Sequence, residues 1–161
     1  MRTADEYAVR FALQHGLLGP PQLAEALARY ERGSVTPGAR RRLGDFLVQE
    51  GLVDGRRLAR LFADELRLPL VDLSAVDVPP EAPALFPRAA LEQSGAFPFA
   101  RGPGTVRLAV SDPFDFESLD RLARSVGLAI ELAVAPADEI EQAIRRHCRP
   151  DPGQVARGLG R

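Results

Sequence analysis

The residues best suited to chemistry are the run Arg40-Arg41-Arg42-Leu43-Gly44. A guanidinium is a planar fork that matches a phosphate or the edge of a guanine. A glycine beside it removes a side chain, so a flat or anionic group can reach the backbone. The same run also reads as a solvated basic loop entering a helix, with Gly44 there for close helix packing. The other candidates stand alone. His15 precedes a helix-ending glycine, where a cation complements the helix C-terminus. His147 and Cys148 adjoin but lack the further ligands of a zinc site, and Cys148 has no activating base beside it. Asp112 and Asp115 flank Pro113, where turn and capping roles explain both. With no lysine anywhere in the chain, a phosphate loop ending Gly-Lys-Ser/Thr is excluded. No residues combine a nucleophile, a base and an oxyanion donor. The sequence therefore offers no catalytic residues, no metal ligands and no cofactor site.

The elements around the arginine run form a repeat. Phe11-Ala-Leu-Gln-His-Gly-Leu-Leu aligns with Phe46-Leu-Val-Gln-Glu-Gly-Leu-Val, 35 positions later. Phe11 pairs with Phe46, Gly16 with Gly51, Leu17-Leu18 with Leu52-Val53, Leu23 with Leu58 and Leu27 with Phe62. Each copy is one supersecondary unit, and two copies face to face would enclose a pseudo-two-fold cleft suited to a two-fold ligand or a partner helix.

Each copy reads as helix, turn, helix. Thr3 and Glu6 have capping-box spacing, and Tyr7, Ala8 and Phe11 share a face. Gly16 and Gly51 fit left-handed helix ends. Pro20-Pro21 opens the second helix, with Leu23, Ala26, Leu27 and Tyr30 as its stripe. Residues 33–40 read as an exposed loop. In the second copy Asp54 caps a helix that turns Leu58, Leu61, Phe62 and Leu66 inward. Beyond Leu68 the pattern changes. Strands are expected at 68–73, 97–99, 105–110 and 130–134, with helical turns opened by Pro79-Pro80, Pro87, Asp115 and Pro136. The fold class is α+β: a four-helix tandem repeat over 1–67 (copies about 7–30 and 42–65), then a small α/β subdomain over 68–148 of about four strands and three to four helices. Residues 149–161, rich in Pro, Gly and Arg, read as a disordered tail.

Composition narrows the function further. The apolar share of 45% supports a core, and 21 basic residues (all Arg) nearly cancel 22 acidic ones. That balance argues against a phosphate-tracking surface for nucleic acid. No apolar run approaches the roughly 18 residues of a membrane span, and no signal-peptide core is present. A cytoplasmic protein is expected, and its single cysteine excludes an internal disulfide.

Several motifs in order carry a resemblance: Arg42-Leu-Gly-Asp-Phe-Leu-Val-Gln-Glu-Gly-Leu-Val, Leu68-Pro-Leu-Val-Asp-Leu73, Leu108-Ala-Val-Ser-Asp-Pro113 and Ile140-Glu-Gln-Ala-Ile144. From about residue 5 to 148 the chain resembles the N-terminal domain of type II secretion and type IV pilus assembly ATPases, called MshEN where it binds cyclic di-GMP. The resemblance implies the regulatory domain standing alone or a piece of something longer. It also implies two ligand motifs, each opening Arg-Leu-Gly and closing on Gln. The second copy matches at Arg42, Leu43, Gly44, Leu47, Val48, Gly51, Leu52, Val53 and Leu58, with Glu65 in place of Gln. The first keeps Leu13, Gly16, Leu17, Leu18, Leu23 and Leu27. Tyr7, Ala8 and Val9 replace its Arg-Leu-Gly and Tyr30 its Gln, with Arg10 one turn from Tyr7.

Retained positions build helices; lost ones would make polar contacts. The expected function is a non-enzymatic regulatory or protein-docking module of a secretion, pilus or motility system, its partner a protein of that apparatus or a signalling protein. The alternative is a cyclic di-GMP receptor using the Arg42-Leu43-Gly44 half. In that case Arg42→Ala would abolish binding and leave the fold intact.

Overall fold

The computed structural model describes residues 3–33 and 42–148. The expected loop over 33–40 beyond Gly33, Arg40, Arg41, the tail 149–161 and the side chain of Thr3 lie outside the described residues.

The front half carries α1 (Thr3–Gln14), α2 (Pro20–Gly33), α3 (Leu43–Gln49) and α4 (Gly55–Leu66). The repeat is written in its hydrogen bonds. After α1, the N–H groups of Leu17 and Leu18 both donate to Ala12 O; after α3, those of Leu52 and Val53 both donate to Leu47 O. The chain makes these bonds by turning through Gly16 (φ +63°) and Gly51 (φ +72°), backbone that costs an L-residue roughly 1–2 kcal/mol. The turns carry Leu18 and Val53 into the core, each 6% exposed.

The back half carries a 3-10 turn (Pro83–Leu85), α5 (Arg88–Ser94), β1 (Ala96–Gly102), β2 (Thr105–Val110), α6 (Phe116–Val126), β3 (Ala129–Val134) and α7 (Ala137–His147). The strands form one sheet in the order β1-β2-β3. The β1–β2 hairpin is antiparallel, with a register shift between Pro98 and Ala100 where proline cannot donate to the ladder. The β2–β3 pair is parallel, from Thr105↔Ala129 to Val110↔Val134, with α6 as its crossover.

The back core is built on Leu91, Phe97, Val106, Leu108, Leu122, Ile140 and Ile144. The front core is built on Phe11, Leu43, Leu47, Leu58 and Phe62, and it also takes in Phe114 and Val134 from the back half. Phe114 lies against Phe62 (5.4 Å between ring centroids), Phe11 (5.9 Å) and Tyr7 (4.1 Å, stacked). The two halves thus share side chains across the junction.

Four local expectations change. Residues 68–73 make only an isolated bridge, Leu70↔Val134, instead of a strand. Pro69 has no N–H to extend the ladder, and Asp72 turns back to the N–H and hydroxyl of Ser74. The helical turn expected at Pro79-Pro80 forms at Pro83, which satisfies the same rule for proline at a first helical turn. On α4 the buried face is Leu58, Ala59, Phe62 and Ala63, while Leu66 is exposed; two alanines one turn apart let the neighbouring elements approach closely. Finally, the space between the repeat copies holds the aromatic side chains named above rather than an open cleft.

Because both glycines hold the same bond pattern, Gly16→Ala and Gly51→Ala are each expected to lower stability by about 1 kcal/mol. No atom lies within 4 Å of a Cβ at either position, so the cost is conformational. Urea denaturation of the two variants should show equal shifts within error.

Candidate functional site

Arg42 is the N-cap of α3, with extended backbone (φ −83°, ψ 145°). It does not reach solvent. The side chain is 5% exposed and spans the junction between the halves. Its Nε donates to Asp115 Oδ2 at 2.7 Å, its Nη1 to Asp45 Oδ2 at 3.2 Å and its Nη2 to the carbonyl of Gln93 at 2.6 Å. Asp45 lies in the first turn of α3, where a carboxylate suits the helix N-terminus. Asp115 has two tasks, accepting Arg42 and capping α6 through the N–H of Ser118.

Gly95, the left-handed end of α5, makes room for this guanidinium. A Cβ there would lie 2.9 Å from Arg42 Nη1 and 2.7 Å from Ser111 Oγ. The Ser111 hydroxyl donates to Asp45 at 3.4 Å. Beside it Asp112, 2% exposed, accepts the N–H of Phe114 on Oδ1, while its Oδ2 is buried with no partner among the described residues.

One guanidinium therefore faces three carboxylates, and their proton affinities diverge. Burial raises Asp45 above its ordinary value despite the Arg42 charge. Burial, then the charge of Asp45, pushes Asp112 up to about 7. Burial also acts on Asp115, but Arg42 and the Ser118 N–H outweigh it and hold that carboxyl below its ordinary value.

Of two cavities, the first adjoins the network and the second does not. One of about 320 Å³ lies between α3, α5 and α7, with Ile140 and Ile144 as its apolar wall and Arg42, Asp45, Glu92 and Arg145 among its polar groups. The other, about 500 Å³, lies beside the start of α4, between Arg56, Arg57 and Arg60 and the acidic Asp72 and Glu139. Among the described residues no group of three or more His, Cys, Asp or Glu is placed to hold a metal ion.

The remaining sequence candidates face mostly inward. Leu43, Leu47, Val53 and Leu58 are core residues, and Val48 and Leu52 pack half-buried against them. Gly44 is a packing glycine: a Cβ would meet Leu58 at 3.4 Å, Phe62 at 3.8 Å and Ala8 at 3.9 Å. Glu65 is exposed on α4. In the first copy Tyr7 is stacked on Phe114, with the Arg10 guanidinium 4.7 Å from its ring centre. The Tyr30 hydroxyl donates to Asp5 Oδ2 at 2.9 Å, and Asp5 Oδ1 accepts the N–H of Leu43, also at 2.9 Å. Tyr30 thus helps tie the first copy to the start of the second. Leu17 is half-buried and Leu18 buried, whereas Leu13, matched as a packing position, is 46% exposed.

Nothing in the sequence singles out Asp5, Asp45 or Gly95 as site residues, and local turn and cap roles account for Asp112 and Asp115. Their common partner lies far away in sequence; Arg42 and Asp115 are 73 positions apart.

This geometry changes the expected effect of removing Arg42. Arg42→Ala leaves buried carboxylates without their cation and should lower stability by about 3–5 kcal/mol, read as a lower urea midpoint. Arg42→Lys keeps the charge without the three-way fork and should lose less. Gly95→Ala should also destabilise, since its Cβ would overlap Ser111 and Arg42.

Comparisons with known proteins agree with this architecture. The MshEN domain family model matches residues 66–154. The type IV pilus assembly ATPase PilB of Thermus thermophilus is 32% identical over 137 residues, covering 84% of this chain and 15% of that protein. PilB of Myxococcus xanthus is 25% identical over 135 residues, covering 84% of this chain and 23% of that protein. The chain thus spans less than a quarter of either relative's length. Among solved structures, MshE with cdg aligns at a TM-score of 0.62 with 27% identity, covering 91% of this chain and 99% of that one. The N-terminal domain of XpsE aligns at 0.69 with 29% identity, covering 91% and 96%. A family model matching more than half the chain, on a fold shared with these domains, establishes that the chain belongs to the MshEN domain family.

Proposed function

We propose that this chain is a non-enzymatic regulatory and protein-docking module of a secretion, pilus or motility system, acting in the cytoplasm. The carrying observation is the state of Arg42. Its fork is filled by Asp45, Asp115 and the Gln93 carbonyl, so a phosphodiester would have to displace carboxylates from a buried guanidinium. Tyr30 is likewise engaged with Asp5. The exposed Leu13, Leu66, Leu70 and Phe116 supply apolar contact area for a partner. The partner on this reading is a protein of the apparatus or a signalling protein. The division at residue 67 would separate the repeat from the α/β part.

A second reading is a cyclic di-GMP receptor working through Arg42, Leu43 and Gly44. It is favoured by the likeness to MshE with cdg.

Calorimetric titration of the folded wild-type chain with cyclic di-GMP separates the two. The docking reading expects no binding heat, together with micromolar or tighter affinity for one component of the same organism's pilus or secretion apparatus. Micromolar binding of the dinucleotide would establish the receptor reading instead. Arg42→Ala is unsuitable as the control because it removes a structural cation. Arg10→Ala, at an exposed position, tests a first-copy contact without that cost.

A further inference from the structure

The Ser111–Asp115 turn is where the back half enters the front core. It carries Phe114, packed on Tyr7, Phe11 and Phe62, and Asp115, which receives Arg42 from α3. At its centre Asp112 holds the Phe114 N–H on one oxygen and buries the other with no partner among the described residues. A buried ionised oxygen without a donor is costly, and a protonated one far less so.

The surrounding charges point the same way. α3 brings Asp45, and its N-cap brings Arg42; the turn itself brings Asp115. Arg42, paired with Asp45 and Asp115, favours the ionised Asp112, but burial and the Asp45 charge outweigh it. Across the adjoining cavity, α5 presents Arg88 and Glu92, paired with each other at 2.7 Å, and α7 presents Glu141 and Arg145. On the α1 side, Asp5 is bonded to Leu43 and Tyr30.

We propose that Asp112 is a proton-operated latch between the two halves. With its proton, the turn stays closed, Phe114 sits in the front core and Arg42 spans the junction. When the proton leaves, the turn opens more often, and in the open form Asp112 gains water and the contact between the halves loosens.

The direction follows from linkage. The closed turn holds its proton up to about pH 7, whereas an open one releases it at the ordinary value near 4. The open form therefore binds fewer protons between these values, and opening is favoured as pH rises through that range. Above about 7 both forms are ionised and the dependence flattens. With these two values, opening should be about tenfold more frequent at pH 8 than at pH 6.

The test is amide hydrogen exchange on the wild-type chain at pH 6 and pH 8, corrected for the intrinsic pH dependence of exchange. The latch expects about tenfold less protection at pH 8 for Phe114 and its neighbours in the turn, which open more readily at both pH values than Val106, Leu108 or Ala133 inside the sheet. Asp112→Asn keeps an acceptor for the Phe114 N–H, cannot ionise, and should abolish the difference. No pH change in the turn, or protection in the turn as high as in the sheet at both pH values, would overturn the latch. If Asp112→Asn does not fold, the wild-type Asp112 carboxyl carbon, followed by NMR, decides: a midpoint near 7 supports the latch and one near 4 refutes it.

Discussion

A guanidinium buried at the junction of two small cores constrains everything near it. Arg42 cannot be dry and unpaired, so three elements must present oxygen to it: α3 through Asp45, the start of α6 through Asp115 and the end of α5 through the Gln93 carbonyl. That requirement fixes the rotation of α3 against the sheet. It also requires glycine at position 95, because any side chain there would occupy the space of the cation. The fork geometry makes arginine rather than lysine the residue that can satisfy three acceptors in different directions at once.

The arrangement explains why the same residue can look like a ligand group in sequence and a structural one in space. Arg-Leu-Gly at the start of a helix has the chemistry of anion recognition. Here the anions come from within the chain. Gly44, adjacent to a candidate ligand contact, faces Ala8, Leu58 and Phe62 and brings helices together. Tyr7 and Tyr30 in the eroded copy have become internal, one stacked on Phe114 and the other hydrogen-bonded to Asp5.

The sequence was most legible where physics is local. Gly16 and Gly51 marked left-handed helix ends, Asp54 and Asp115 marked helix starts, and both cap as read. The strands expected at 105–110 and 130–134 are β2 and most of β3. Legibility failed where the outcome depends on distant partners. Leu66 has the spacing of a core residue, but the bulk of α4 that faces inward is set by Ala59 and Ala63 against neighbours the spacing does not reveal. Leu68 to Leu73 is apolar enough for a strand and still makes only one bridge. The network around Arg42 was invisible for the same reason: Asp112 and Asp115 each have a complete local explanation, and nothing nearby in sequence announces a second duty.

Phe114 in the front core has a consequence for how the chain reaches its native state. Its contacts with Tyr7 and Phe11 join the first helix to a turn far along the chain, and the Arg42–Asp115 bond links residues 73 positions apart. Such closures lose entropy before they return any contact energy, and chains rich in them fold slowly. Each half can form its helices and hairpin early from local bonds. The aromatic plug docks only after both surfaces exist, which makes the junction the last part to assemble. Until then Phe11 and Phe62 lie open to water, and a nascent front half emerging from synthesis carries that sticky surface until the turn arrives.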